Sequence, residues 1–435
     1  MEKLHIVEQI IEETRNHDVD SITKLGLKFN PFPRSGIADY NCSDEVIRAL
    51  PPTDPANFKE IVNFIKDSLF NKNLTDLDPY LSLIIRGDYG TGKTQTLLFI
   101  KSLLEGLRGN NNVNPYVVYI DNPGQKLSEL IGSIINQIGQ ENFKRYLWEL
   151  FLKHLRKNED LLTQLSTIGK SNNLFAEEYD VNSINEYISY KVFIDELYKG
   201  LDLKRRREVQ DALKIAIVNC FETIAPNVNV AIYFYDLVAD NIGINKTWDL
   251  LTTGSIKDID KREFYILKTI VDIVKGLGYS DFIILADEFE EITAGRLPKT
   301  EIDKYLRNLR TLIDKEKNWC AVFAMTGKAL SMIESFSPPL ADRINGRVVE
   351  LKPLNKTTAT MLVKNYLDLA RDANQETIFP FDESGIETLL EFTNAYPRLL
   401  LKYCYLLVQR AKDEADGNSL IDSAFVTKHV KAIDL

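Results

Sequence analysis

The chain has 435 residues, 44% of them hydrophobic, and a formal net charge of −10. That length exceeds one ordinary single-core domain, so two or three substructures are expected, and the apolar share excludes a mainly disordered chain. No apolar run reaches bilayer length, and the scattered cysteines (Cys42, Cys220, Cys320, Cys404) and histidines (His5, His17, His154, His429) lack zinc-site or disulfide spacing.

In chain order, Leu4, Val7, Ile10, Ile11 and Thr14 recur at helical spacing and predict a short amphipathic N-terminal helix. The segment Gly26-Leu27-Lys28-Phe29-Asn30-Pro31-Phe32-Pro33 must be extended or turned because of its prolines. A helix follows: Asp54 can cap it, Pro55 suits its first position, and Phe58, Ile61, Val62, Ile65 and Leu69 share a face. Apolar runs at Leu81–Arg86, Tyr116–Ile120, Phe282–Ala286 and Trp319–Met325, with a weaker one at Arg347–Leu351, have the near-continuous hydrophobicity of a parallel sheet covered on both faces. Helical patterns separate them, so an α/β core is expected.

Between the second and third of these strands lie roughly 160 residues, where a crossover needs only about a dozen. Residues 141–278 are mainly helical in pattern, as in Phe143–Leu155 and Leu203–Phe221, with Val228–Tyr235 as a strand-like run. They read as a large, mainly helical insertion. After Pro353, helical stretches at Lys356–Arg371, Glu383–Phe392 and Pro397 to about Asp416 predict a C-terminal helical lid. The expected division is 1–60, an N-terminal helix and proline-punctuated segment; 61–140, the first part of the core; 141–278, the insertion; 279–352, the second part of the core; and 353–435, the lid.

Gly87-Asp88-Tyr89-Gly90-Thr91-Gly92-Lys93-Thr94, followed by Gln95, matches GxxxxGK[ST] between a strand and an amphipathic helix. Its glycines let successive backbone N–H groups point into a phosphate, and the helix adds its positive N-terminal end. Lys93 would neutralise the β- and γ-phosphates of ATP, and the Thr94 hydroxyl would bind Mg²⁺. The strand Phe282–Ala286 ends in Asp287-Glu288, where Asp287 can hold the magnesium shell and Glu288 can polarise an attacking water. Glu290 and Glu291 read as a solvated helix start. Asp121 and Asn122, at the end of the second strand, are candidates for coupling ligand binding to Glu288.

Taken together these motifs resemble the AAA+ superfamily of P-loop ATPases. The resemblance implies an α/β P-loop core with a parallel sheet, a helical insertion and a C-terminal helical lid. It also makes Thr326 a polar sensor, Arg398 (in Tyr396-Pro397-Arg398) a lid arginine on the γ-phosphate, and Arg343 an arginine finger, with Arg347 as its rival. A finger acting in trans would require a homo-oligomer with nucleotide bound. Gly26-Leu27 through Asn30-Pro31-Phe32 is similar to the entry segment of origin-recognition and transposition-regulator ATPases, which have a far shorter gap between the two ATP motifs. The roughly 37 residues after Arg398 are too few for the winged helix that the origin-recognition type adds. Residues 245–355 resemble more closely the ATPases of BREX-like phage-defence clusters. The likeness runs through Trp248, Gly254, Gly278-Tyr279, Tyr305–Asp314, Leu340–Arg343 and Leu351–Leu354, and the long gap belongs to that type too.

The acidic chain as a whole would be repelled by nucleic acid, so DNA contact must come from local basic clusters. Lys204-Arg205-Arg206-Arg207 is the densest, and Lys304, Arg307 and Arg310 share a helix face. A solvated face or intersubunit salt bridges account for both equally well. The expectation is a cytoplasmic ATP-hydrolysing switch in a DNA transaction, in phage defence or a mobile element, with no membrane partner. The alternative is a STAND-like signalling scaffold gated by an effector protein, without direct DNA binding.

Overall fold

The computed structural model describes residues 22–36, 50, 54–70, 81–110, 113–161, 163–164, 189–244, 246–247, 262–293, 297–315, 318–372, 376–414 and 420–431. The expected N-terminal helix, and Trp248 and Gly254, lie outside them.

Helix α1 (Pro55–Leu69) begins as its sequence dictates: Pro55 occupies the first turn, and the Asp54 carboxylate accepts from Ala56 N at 2.8 Å. It buries Ile61, Phe64 and Ile65 against the sheet. Five parallel strands, β1 (Ser82–Gly87), β2 (Pro115–Ile120), β3 (Asp281–Ala286), β4 (Trp319–Met325) and β5 (Val348–Leu351), stand in the order β2-β3-β4-β1-β5. Alternation along each strand divides the core. Leu83, Ile85, Ile283, Leu285 and Val322 meet α1 and α2 (Lys93–Gly106), while Ile84, Phe282, Ile284 and Phe323 face the opposite helices. With both faces covered, the strands have no room for polar alternation.

The β2–β3 connection carries α3 (Leu127–Ile138), α4 (Gln140–Lys157), α5 (Tyr190–Tyr198), α6 (Leu203–Glu222), α7 (Val228–Val238) and α8 (Arg262–Gly276). Trp148, Phe151, Phe193, Phe221 and Phe234 belong to the same hydrophobic cluster as Phe282 and Phe323, so the insertion extends the core of the sheet. The strand-like run Val228–Tyr235 is helical. Asn227 caps it by accepting from Val230 N at 3.1 Å, and Val230, Ala231, Phe234, Leu237 and Val238 are buried at helical spacing. A helix buried on most sides is apolar nearly all round, so its β-branched residues mimic a buried strand.

After β3 come a 3-10 turn (Phe289–Thr293), α9 (Lys299–Lys315), β4, α10 (Gly327–Phe336), α11 (Pro338–Ile344) and β5. The lid comprises α12 (Lys356–Leu369), α13 (Glu383–Phe392), α14 (Pro397–Asp413) and α15 (Ser423–Lys431), the last of which the sequence pattern did not reveal. Its core is a separate cluster that includes Val363, Leu367, Leu389, Leu400, Leu407 and Val430. The segment 22–36 completes this cluster: Leu25, Leu27 and Phe32 are buried in it, and Phe32 stacks on Tyr366 at 5.7 Å. Asn30 donates from Nδ2 to Tyr405 O at 3.0 Å. Each of those three apolar side chains contributes about 1.5–3 kcal/mol of burial, so the lid is assembled from both ends of the chain. The expected fold class, an α/β P-loop core with a parallel sheet, a mainly helical insertion and a C-terminal helical lid, is the one observed.

Candidate nucleotide site

The loop after β1 and the helix that follows meet at Gly92, whose φ of 99° closes the turn in a conformation an L side chain rarely adopts. Lys93 is thereby the first residue of α2 and is buried, with Nζ donating to Gly87 O at 3.1 Å and Asp88 O at 3.4 Å. Thr94 follows on the same turn. Its Oγ1 donates to Asp287 Oδ2 at 2.6 Å, across from the end of β3.

Asp287 is buried and accepts from three donors. Oδ2 also accepts from Tyr119 OH at 3.0 Å, and Oδ1 accepts from Glu288 N at 2.9 Å. Burial, and then the Asp287 carboxylate, push the Tyr119 phenol far above its ordinary range, so it stays a donor. Sequence reasoning missed Tyr119; strand alternation, which puts it on the face carrying α2, was the available signal. The backbone of Glu288 sits at φ 47°, a left-handed conformation costing roughly 1–3 kcal/mol in a non-glycine residue. Its exposed carboxylate titrates above the usual value because of partial burial, then the neighbouring charges of Asp287, Glu290, Glu291 and Asp121.

Glu290 departs from expectation. It is buried at 5% exposure, not solvated, with Oε1 3.3 Å from Lys93 Nζ. Neither carboxylate oxygen receives a hydrogen bond, so the contact is an ion pair without hydrogen-bond alignment. The 3-10 turn that starts at Phe289 rolls this side chain back into the cleft; Phe289 is fully buried below it. Asp121 and Asn122 spend their side chains on the turn after β2, accepting from Asn122 N and Gly124 N.

The lid closes on the loop through backbone. Arg398 N donates to Gly90 O at 3.1 Å, and a Cβ on Gly36 would lie 2.1 Å from Arg398 O. Only glycine lets the 22–36 segment pass so close. A cleft of about 450 Å³ results, lined by Tyr89–Thr96 (Gln95 included), Asp287, Glu288, Glu290 and Arg398. It is also lined by the apolar residues Leu50, Leu354, Leu362, Tyr366 and Leu401. Cationic and backbone N–H groups together with aliphatic and aromatic surface suit a phosphorylated ligand with a flat base.

The remaining candidates stand elsewhere. Thr326, at the end of β4, is buried and caps α10 by accepting from Ala329 N at 3.2 Å; it does not line the cleft. Arg343 pairs through Nε with Asp314 and donates from Nη1 to Pro339 O at 2.7 Å. Arg347 pairs with Asp67 and with Glu60 at 3.6 Å. On α6, Lys204, Arg205 and Arg207 are exposed and make no ion pair among the described residues. Arg206 donates to Leu201 O at 2.8 Å and lies over the Tyr198 ring. Arg307 and Arg310 are paired along their own helix with Asp303 and Asp314. No helix among the described residues is long and apolar enough to cross a membrane.

No protein-family model matches the sequence, and no curated protein does so either. Among solved structures, the chain is similar to the Aeropyrum pernix ORC2 protein in its ADPNP-ADP complexes. They share 13% identity over 90% of this chain and 72% of that one, with a TM-score of 0.48. The A. pernix ORC1 protein in complex with DNA is similar at 10% identity, over 90% of this chain and 69% of that one, with a TM-score of 0.41. A Walker-type ATPase of Pyrococcus abyssi is similar at 13% identity, over 89% and 77%, with a TM-score of 0.34. At such scores no residue role is transferred from them.

Proposed function

We propose that this chain is an ATP-binding and ATP-hydrolysing switch of the AAA+ kind that completes its active site by self-assembly and works on DNA. The observation that carries the reading is the meeting of Lys93, Thr94 and Asp287 in one cleft, with Thr94 Oγ1 2.6 Å from Asp287 Oδ2. A hydroxyl beside a single buried carboxylate fits Mg²⁺, which takes few protein ligands and leaves the rest to phosphate and water. Thr94 and Asp287 would hold the ion, whose charge would neutralise the phosphates.

Gly87–Gln95 cradles the phosphates with backbone N–H groups, and Lys93 and Arg398 supply positive charge. Glu288, held as a carboxylate slightly reluctant to ionise, is placed to accept a proton from water. Thr326, whose hydroxyl caps α10 outside the cleft lining, would act as a sensor only indirectly, through that helix start. Arg343, or its rival Arg347, would reach the site of an adjacent copy. DNA contact is assigned to the exposed cations Lys204, Arg205, Arg206 and Arg207 at the start of α6. The phage-defence setting rests on the sequence resemblance across residues 245–355.

The test is light scattering of wild type and Glu288→Gln with ATP, with and without duplex DNA. A DNA-promoted oligomer in the variant, weakened by salt and by alanine at 204, 205 and 207, is the expected result. A nucleotide-bound monomer indifferent to DNA would sink the assembly and DNA parts and favour the scaffold. Absence of ATP binding would sink the whole reading.

A further inference from the structure

Glu290 has no part in the chemistry just described, yet it is the carboxylate nearest the lysine on which that chemistry depends. Its exposure is 5%, its two oxygens receive no hydrogen bond, and its contact in the cleft is the 3.3 Å approach to Lys93 Nζ. Lys93 turns its other donors to Gly87 O and Asp88 O, so its ammonium is enclosed by the loop below and Glu290 beside it. The Tyr89 ring, 5.0 Å from Nζ, closes the outer side. A buried carboxylate lacking hydrogen bonds is costly unless a cation faces it. Lys93 is that cation, and any phosphate that enters must share it.

We propose that Glu290 is the internal counter-ion of Lys93, a positioning residue that holds the ammonium in place before nucleotide binds and thereafter opposes the terminal phosphate. The inference rests on the nucleotide reading of the cleft. Asp287, Glu288 and Glu290 line it together with Lys93. A triphosphate would bring one more phosphate group, and one more negative charge, into the cleft with these carboxylates than a diphosphate would. Glu290 therefore weakens binding of the triphosphate more than of the diphosphate, and most strongly when no divalent cation offsets the charge. The switch is thereby kept from locking in its ATP state, and its preference between ATP and ADP is set by a residue that touches neither base nor reacting water.

Glu290→Gln keeps the shape and removes the charge. With EDTA present, fluorescent ATP-analogue titration of the full chain should show affinity rising about tenfold or more in this variant. Fluorescent ADP should change by less, and the gap between the two nucleotides should narrow again on adding Mg²⁺. Equal changes for both nucleotides, or weaker ATP binding, would overturn the proposal. Thermal melting without nucleotide gives a second, independent reading. Lys93→Met should lower the melting temperature by exposing an uncompensated buried charge, and Lys93→Met with Glu290→Gln should recover most of that loss. Additive losses in the double variant would also overturn the pairing. If wild type binds neither nucleotide, the nucleotide reading fails, and the melting cycle alone still decides whether the two side chains are coupled.

Discussion

At the floor of the cleft Lys93 faces Glu290 with 9% and 6% of their side chains exposed, whereas on the flanks Arg343 meets Asp314 at 36% and 33%, and Arg347 meets Asp67 at 25% and 31%. Each of the three cations has a carboxylate, yet the surroundings give the pairs opposite meanings. Removing one member of a buried pair costs roughly 3–5 kcal/mol, because the other is left charged in a poor solvent. A pair in water contributes about 0–1 kcal/mol, so its members can change partners at small cost. Lys93 is therefore held in place by its pair, while the two arginine pairs would cost little to break, as the proposed role in a neighbouring copy requires.

The comparison breaks most openly at the arginines. Replacing the true finger by alanine should lower ATPase turnover of the assembled protein by roughly 10³-fold. It should cost no more than about 1 kcal/mol of stability. Mixing that variant with Glu288→Gln should restore part of the rate, since each supplies what the other lacks. If neither Arg343→Ala nor Arg347→Ala slows turnover, the flank pairs are merely structural.

Glu288→Gln should slow hydrolysis by roughly 10²-fold or more while nucleotide still binds. Because the Glu288 carboxylate titrates above its ordinary value, wild-type turnover should fall as pH drops through that raised value, earlier than for an unperturbed carboxylate. Stability runs the other way. The folded state prefers the protonated form, so the contribution of this group is full below its unfolded pKa and is lost as pH rises through the folded one. Glu288→Gln should consequently melt slightly higher than wild type near neutrality and match it in acid, a small effect because the side chain is largely in water.

Gly36→Ala would drive a methyl into Arg398 O and force a positive φ on alanine, costing about 1–3 kcal/mol at the lid contact. Nucleotide affinity should weaken several-fold while the Lys93–Glu290 melting cycle is unchanged. If affinity holds, the lid contact is not part of the binding state. The smallest effect is expected at Ala395, which sits at φ 58° just before Arg398. Ala395→Gly should stabilise by about 0.5–1 kcal/mol in chemical denaturation, because glycine occupies that region without a Cβ.

Much of this was legible beforehand, for reasons tied to particular residues. The P-loop, the Asp287-Glu288 strand end and the Asp54-Pro55 helix start depend on local chemistry, which a linear pattern carries. Glu290 was misread because its burial depends on a 3-10 turn over Phe289, and nothing in Glu-Phe-Glu-Glu says which acid points inward. Tyr119 was missed because its partner lies 168 residues away. The run Val228–Tyr235 failed for a different reason: its side chains are apolar nearly all round the helix, which blurs the periodicity that separates helix from strand. The place of Leu25, Leu27 and Phe32 inside the lid is a contact between chain ends that no local window contains.

That last contact governs how the lid can move. Residues 22–36 belong to the lid, Leu50 packs against its cluster just before α1 of the core, and the chain returns from β5 through Leu354 to α12. A body hung from one thread may swivel in any direction, but a body hung from two can swing only about the line joining them. The lid is thus a door with two hinges. The backbone hydrogen bond from Arg398 N to Gly90 O is the contact that any such swing would have to break.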